Sequence, residues 1–293
     1  MDHAGTRVPP LSAFADLHLH STASDGTLAP SEVVRLGVEA GLAAIGLTDH
    51  DTVAGVAEAR AAGLAAGIRV VAGCEFSVRA DGGEVHLLGY ALPDTDPELL
   101  TTLDRMRAAR ADRGHAMVAR IAACGIPLEY ADVEREAAGA PIGRPHVARA
   151  LIARKAVRSI EEAFDRLLGR GRPAFVPKAL PELAEICDLI RRVGGVSSIA
   201  HPKDRLNRAA LEELRAQGLD AIEVCHPSHS GPVRANLERL AAELGLLPTG
   251  GSDSHGAAAA SPSHAGVGGE RIPIAWVDRL EALAASRRAP SVS

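Results

Sequence analysis

The chain has 293 residues, room for one large α/β domain or two unequal ones. Hydrophobic residues make up 46% but aromatics only 2%, which supplies an aliphatic core and excludes a large aromatic platform for stacking many bases. A net charge of −5 argues against a strongly basic surface for long nucleic acid such as a DNA duplex, while a small anionic substrate stays open because bound cations can reverse the local field.

Residues 1–13 lack an apolar core and do not read as a signal peptide. The pattern then predicts strands over 14–20, 43–48, 68–74 and 84–90, with helices over 30–41 and 52–66. Pro30-Ser31-Glu32, after a Gly-containing turn, marks a helix start. Residues 99–172 break the rhythm. No strand is predicted there, and helices read over 96–124, 131–138, 144–155 and 159–168. We read a barrel in two parts, 14–98 and 173–293, with a helical insertion or cap at 99–172 between them. Strands over 195–200, 220–225 and 246–251 and helices over 180–193, 207–217 and 231–244 complete the pattern. The Gly/Ala/Ser-rich stretch 256–269 reads as a mobile loop. Repeated βα units imply a mostly parallel sheet, open or closed into a barrel.

Cys74, Cys124, Cys187 and Cys225 are scattered, form no CxxC pair and read as buried free thiols. No stretch approaches the apolar length that spans a bilayer, so no membrane partner is expected and the cytoplasm is the expected location.

Nine metal-ligand side chains accompany the apolar runs. They are His18 and His20 in ADLHLH, Asp25 in SDG, His50 in TDHD, Glu75 in GCEFS, His86 in EVHLLGY, His201 in IAHP, and Asp253 and His255 in GSDSH. All are imidazole or carboxylate, a mix that suits Mn²⁺, Zn²⁺ or Fe²⁺ and not a thiolate zinc site. In the first strand Asp16, His18 and His20 share one face, opposite Leu17 and Leu19. Polar residues at the carboxyl ends of successive parallel strands converge only if the strands close into a barrel, whose active sites lie on that face. Nine ligands exceed one four-coordinate ion and suit two or three, with Glu75 as a bridge. Each motif alone reads equally well as a turn, a cap or a satisfied core histidine. Their joint occurrence selects metal, because polar groups at strand ends in a core require partners.

With DLHLHSTASDG, GLTDHD, GCEFS, EVHLLGY, IAHP and GGSDSHG in this order, nearly the whole chain resembles the PHP (polymerase and histidinol phosphatase) family of metal-dependent phosphoesterases. The resemblance implies a distorted seven-stranded, TIM-like (β/α) barrel with a trinuclear metal centre. It implies that His18, His20, Glu75 and Asp253 hold one ion, that Glu75, His86 and His201 hold a second, and that Asp25, His50 and His255 hold a third. Manganese is the expected ion, with iron or zinc as alternatives. GRPHVAR (143–149), AFVPK (174–178) and EVCHPSHS (223–230) further resemble a bacterial branch with a helical insertion. Its members resemble 3′,5′-nucleotide bisphosphate phosphatases, and some trim short RNA from the 5′ end.

The expected reaction is hydrolysis of a phosphomonoester by a metal-bound hydroxide, on the 3′-phosphate of a 3′,5′-nucleotide bisphosphate. Alternatives are 5′-to-3′ exonuclease action on short RNA, histidinol-phosphate hydrolysis, and a noncatalytic module. Arg144 and Lys178 are candidates to grip substrate phosphate, as a fork and a point charge, against a solvated surface role. His146 is a third candidate there, or a cap within the insertion. His226 and His229 follow a strand end and are candidates to protonate a leaving oxygen. Asp16 and Asp49, beside ligands, are expected to orient imidazoles. His3, His115 and His264 receive no site role.

Overall fold

The computed structural model describes residues 13–81, 83–139, 142–256 and 264–289. Eight strands form one sheet: β1 (Phe14–Leu19), β2 (Ala44–Leu47), β3 (Arg69–Ala80), β4 (Gly83–Tyr90), β5 (Val196–Ile199), β6 (Ala221–Cys225), β7 (Leu247–Gly250) and β8 (Ile272–Pro273). Their order is β7-β6-β5-β4-β3-β2-β1-β8. The sheet curls until its ends nearly meet. Just past β7, Ser254 bridges Leu19 in parallel, and the His20 N–H donates to the Ser254 carbonyl at 2.9 Å. The result is an α/β barrel, nearly closed.

Two features differ from the sequence expectation. Among the described residues there are eight strands and not seven, because β8 contributes two residues antiparallel to β1, too few for any periodic signal. The sheet is also less parallel than expected. The β1–β2, β2–β3, β5–β6 and β6–β7 pairs are parallel, whereas β4 runs antiparallel to both β3 and β5. β3 continues to Ala80, six residues past the predicted end. The gap left before Gly83 suits only a hairpin, since a parallel crossover needs a dozen residues or more.

Ten helices occur among the described residues. α1 (Pro30–Glu39) and α2 (Val56–Ala66) precede the long segment between β4 and β5. That segment holds α3 (Pro97–Ala123), α4 (Tyr130–Ala137), α5 (Arg144–Ala153) and α6 (Ile160–Ala163), the last running into a π-helical turn over Phe164–Leu168. Then come α7 (Leu183–Arg192), α8 (Arg208–Ala216), α9 (Gly231–Leu244) and α10 (Ile274–Arg288), of which α10 had no sequence counterpart. The starts have local causes. Asp96 accepts the Glu98 and Leu99 N–H groups at 2.9 and 3.0 Å and Pro97 opens α3, while Asn207 accepts the Ala210 N–H at 3.0 Å to open α8. α2 begins four residues later than predicted, because the Thr52 hydroxyl accepts the Ala54 N–H and holds a turn there.

Strand alternation divides the core. Ala15, Leu17 and Leu19 join the apolar layer beneath the helices, leaving Asp16, His18 and His20 for the barrel interior. α7 shows the helix side: Leu183, Ile186, Cys187 and Ile190 form one buried stripe, with each aliphatic side chain contributing about 1.5–3 kcal/mol. α3–α6 have an apolar cluster of their own, built around Met117, Ile121, Val147, Leu151 and Leu168. α3 connects it to the barrel. Its first turns bury Leu99 and Leu103 in the barrel core, and farther on Arg110 pairs with the buried carboxylate of Asp51.

Cys74 and Cys187 are buried as expected, but Cys225 is half-buried and Cys124, at the end of α3, is exposed. No described helix is long and apolar enough to cross a membrane. Half of the expected mobile loop at 256–269, residues 257–263, lies outside the described residues, as does His3.

Candidate metal centre and substrate cleft

The barrel supplies the nine residues from one end. His18 and His20 point inward from β1 and its end, Asp25 follows in the next loop, and His50 comes just past β2, bridged to Glu75 in β3. His201 follows β5, and Asp253 and His255 follow β7. His86 reaches the same end for a different reason. β4 is antiparallel, so its first half lies where the other strands finish, and His86 pairs in register with Ser77. His201 and Asp253 have φ of +29° and +52°, a region side chains rarely adopt, and both turn sharply to face the interior.

Glu75 is the hub. Its Oε2 lies 3.2 Å from His18 Nε2, His20 Nε2 and His50 Nδ1, and its Oε1 lies 2.8 Å from His86 Nδ1 and 3.1 Å from His201 Nε2. Asp253 Oδ1 is 3.4 Å from His18 Nε2 and 3.2 Å from His20 Nε2. Asp25 Oδ1 is 3.3 Å from His255 Nε2, and Asp25 also lies 3.8 Å from His20 and His50.

These contacts are poor as hydrogen bonds. A carboxylate oxygen has two lone pairs, yet three imidazole nitrogens crowd Oε2. Both ring nitrogens of His20 and the Nδ1 atoms of His50 and His86 are buried with no hydrogen-bond partner among the described residues. Buried polar atoms without partners are costly, and divalent cations among them would each take up the lone-pair nitrogen of such an imidazole. The chemistry of the set therefore fits divalent ions. Four overlapping groupings can each hold one: His18, His20, Glu75 and Asp253; His20, Asp25, His50 and His255; His50, Glu75 and His86; and Asp253, His255 and His264.

Charge follows this crowding. Burial opposes protonation of His20, but Asp253 and Glu75 outweigh it and hold the group up at about 10. Burial likewise opposes His86, and Glu75 raises it to about 9. For His50, burial wins and pushes it down to about 4. Burial pushes Glu75 and Asp253 upward, and the surrounding imidazoles hold both far below the usual carboxylate range.

A pocket of about 350 Å³ lies over Glu75, His201, His226 and Asp253. It shares Asp25, His50 and His86 with a cavity of about 680 Å³ between the barrel mouth and the helical segment. Its lining is rich in cations, with Arg110, Arg113, Arg144 and Arg149 from the helical segment and Lys178 from the stretch that follows. The Arg144 guanidinium rests over Phe164 and Phe175, 5.3 and 5.8 Å from their ring centres. Lys178 pairs with Glu84.

Other sequence candidates are placed differently. His146 lines the cavity, but its Nδ1 accepts the Gly143 N–H at 2.9 Å, so it caps α5. His229 does not line the metal pocket: its Nδ1 donates to the Val224 carbonyl at 2.9 Å, and its Nε2 accepts the Lys203 N–H at 3.1 Å. Both nitrogens are thus engaged by backbone. His226 does line it, with Nδ1 accepting from the Ser228 N–H and Nε2 3.3 Å from Asp253 Oδ2. Asp16 and Asp49 do not orient imidazoles. Asp16 holds the Ser252 and Gly268 N–H groups, and Asp49 holds Ser21 and Ser24. A carboxylate outside the nine that does contact a ligand imidazole is Glu223, 2.9 Å from His18 Nδ1. It passed unassigned, and its signal was a Glu inside the apolar run AIEVC. His264, given no role, has Nδ1 3.0 Å from Asp253 Oδ2. Arg110 and Arg113 also passed unassigned, since a charged helix face is ordinarily solvated.

A model of the PHP domain matches residues 16–242. The chain belongs to the PHP family. It is a metal-dependent phosphoesterase, a hydrolase acting on phosphoester bonds. Among PHP relatives, a 5′-3′ exoribonuclease of Haemophilus influenzae is 34% identical over 246 residues, covering 82% of this chain and 89% of that protein. A 3′,5′-nucleoside bisphosphate phosphatase of Chromobacterium violaceum is 34% identical over 249 residues, covering 83% and 87%. Among solved PHP-like structures, a candidate metal-dependent phosphoesterase of Bifidobacterium adolescentis superposes with a TM-score of 0.79 at 30% identity, covering 97% of this chain and 99% of that one. An amidohydrolase structure from Chromobacterium violaceum, with sulfate bound and no metal, gives 0.77 at 32% identity, covering 92% and 96%.

Proposed function

We propose that this PHP phosphoesterase removes the 3′-phosphate of a 3′,5′-nucleoside bisphosphate. One observation carries the reading: the ligand pocket opens directly into a cationic cavity through the shared Asp25, His50 and His86. A substrate with two phosphates places one over the metal pocket and leaves the other for Arg144 and Lys178. The relative named as a 3′,5′-nucleoside bisphosphate phosphatase supports the same substrate.

The reading takes the three ion sets that the resemblance implies, with His50 near enough to serve two of them and His201 joined to the Glu75 and His86 set through its 3.1 Å contact with Glu75. Bound manganese, iron or zinc supplies Lewis-acid charge and an acidified water at neutral pH. The chain's own groups do the rest. Glu75 and Asp253 concentrate negative charge where cations gather, and Arg144, braced by two aromatic rings, orients the distal phosphate. The helices of 99–172 serve as the cap that carries Arg110, Arg113, Arg144 and Arg149 over the barrel mouth. His226, with its Nε2 toward Asp253, is the better placed of the two strand-end histidines to move a proton. A small phosphorylated nucleotide in the cytoplasm is the matching substrate.

The test is phosphate release by the Mn²⁺-loaded protein from adenosine 3′,5′-bisphosphate, beside adenosine 5′-monophosphate. Fast release from the first and little from the second is expected. No bisphosphate turnover with any of several divalent ions overturns the reading. Arg144→Gln is expected to cost about 1.5–3 kcal/mol in kcat/KM for the bisphosphate, the range for a charge-assisted contact.

A second reading, 5′-to-3′ trimming of short RNA, is favoured by a further cavity of about 420 Å³. It meets the cationic one at Thr22 and Ala138 and gives a chain somewhere to run. Turnover of a labelled oligoribonucleotide in preference to the mononucleotide selects this reading.

A further inference from the structure

We propose that Glu223 is a positioning residue that couples two of the ion positions and leaves the third alone; this rests on the metal-centre reading above. Glu223 sits in β6 with no solvent exposure. Its Oε1 is 2.9 Å from His18 Nδ1, and its Oε2 accepts the His201 backbone N–H at 2.6 Å.

Each contact controls a ligand. A carboxylate at His18 Nδ1 takes a donated N–H there, which fixes the tautomer and leaves the Nε2 lone pair facing Glu75 and Asp253. The bond to the His201 N–H works on the backbone. His201 holds φ at +29°, and a short hydrogen bond to its N–H stabilises the turn that brings its Nε2 within 3.1 Å of Glu75 Oε1. One side chain thus orients a member of the His18, His20, Glu75, Asp253 group and also His201, which the resemblance joins to Glu75 and His86 and which contacts Glu75 at 3.1 Å. It makes no hydrogen bond to Asp25, His50 or His255. A buried carboxylate is expensive to desolvate, and these two donors are what compensate it.

The test is Mn²⁺ titration of chelator-stripped, full-length protein, with metal content per chain after dialysis, for wild type, Glu223→Gln and Glu223→Asp. Gln keeps the shape but can accept only one of the two bonds, and Asp keeps the charge but withdraws it by one methylene. Both are expected to weaken two ion positions by about 10–100-fold and to leave one at wild-type affinity. Asp25→Asn should give the complementary pattern. Two results overturn the coupling: folded variants that load like wild type, or a uniform weakening at every position, which marks general loosening of the barrel. Should neither variant fold, ¹⁵N NMR of the metal-free wild type decides, because a His18 ring protonated only at Nε2 contradicts the proposal. Wild type that takes up no ion sinks the functional reading as well, whereas normal loading of both wild type and variants sinks the coupling alone.

Discussion

Among the histidines, His146 shows how one imidazole is diverted from a site role to a backbone role. Burial, with Arg149 nearby, pushes it down to about 4 against the opposing pull of Asp25. The folded chain therefore holds it neutral, consistent with its Nδ1 accepting the Gly143 N–H. An unfolded chain titrates the same ring near 6.5 and binds the extra proton first. Its contribution to stability is complete above 6.5 and is lost as pH falls toward 4. Urea unfolding at pH 7 and pH 4.5 should show a smaller pH loss for His146→Gln than for wild type. A His146 resonance titrating at its ordinary value contradicts this. The same contrast separates His226 from His229: similar residues, three apart, of which only the first faces the metal pocket.

At the scale of elements, the closure of the barrel holds the centre together. Gly251 follows β7 and packs on β1, where an added Cβ would stand 2.3 Å from the His18 backbone nitrogen and 2.5 Å from its Cβ. Backbone cannot yield as the end of a flexible side chain can. Gly251→Ala should force β1 and β7 apart, lower stability by more than about 2 kcal/mol and reduce metal content together. A variant that melts like wild type and retains its metal shows that the contact is soft. The β3–β4 hairpin matters in a different way. Its antiparallel turn brings His86 to the ligand end, and the extended β3 carries Ser77 up to Arg110 of α3.

For the whole molecule, a net charge of −5 coexists with a cleft lined by five cations. The anion-binding field is local and does not show in the sum. The ligand cluster also links metal to stability. Ions that bind only the folded chain stabilise it by about 2.7 kcal/mol at a free concentration of 100 Kd. For a domain of this size that corresponds to roughly 4–5 °C in Tm for each such ion. Thermal melts with chelator and with added Mn²⁺ should differ by that amount, and coincident melts count against a metal-supported barrel.

The sequence by itself determined the α/β alternation, the break at 99–172, the nine ligand residues and the family. Each of these is written locally, in the period of apolar residues or in short motifs that follow strands. Tertiary structure decided what depends on pairing over distance: that β4 is antiparallel, that two residues of β8 join the sheet, and that Glu75 lies among five imidazoles. It also sorted residues of one type into different tasks. Asp16 and Asp49 hold backbone and serines while Glu223 meets an imidazole, and Arg110 faces a cleft instead of solvent. No local pattern encodes such choices, because a carboxylate or guanidinium takes its role from the partner that the fold brings within hydrogen-bond reach, and that partner can stand more than two hundred residues away, as His18 does from Glu223.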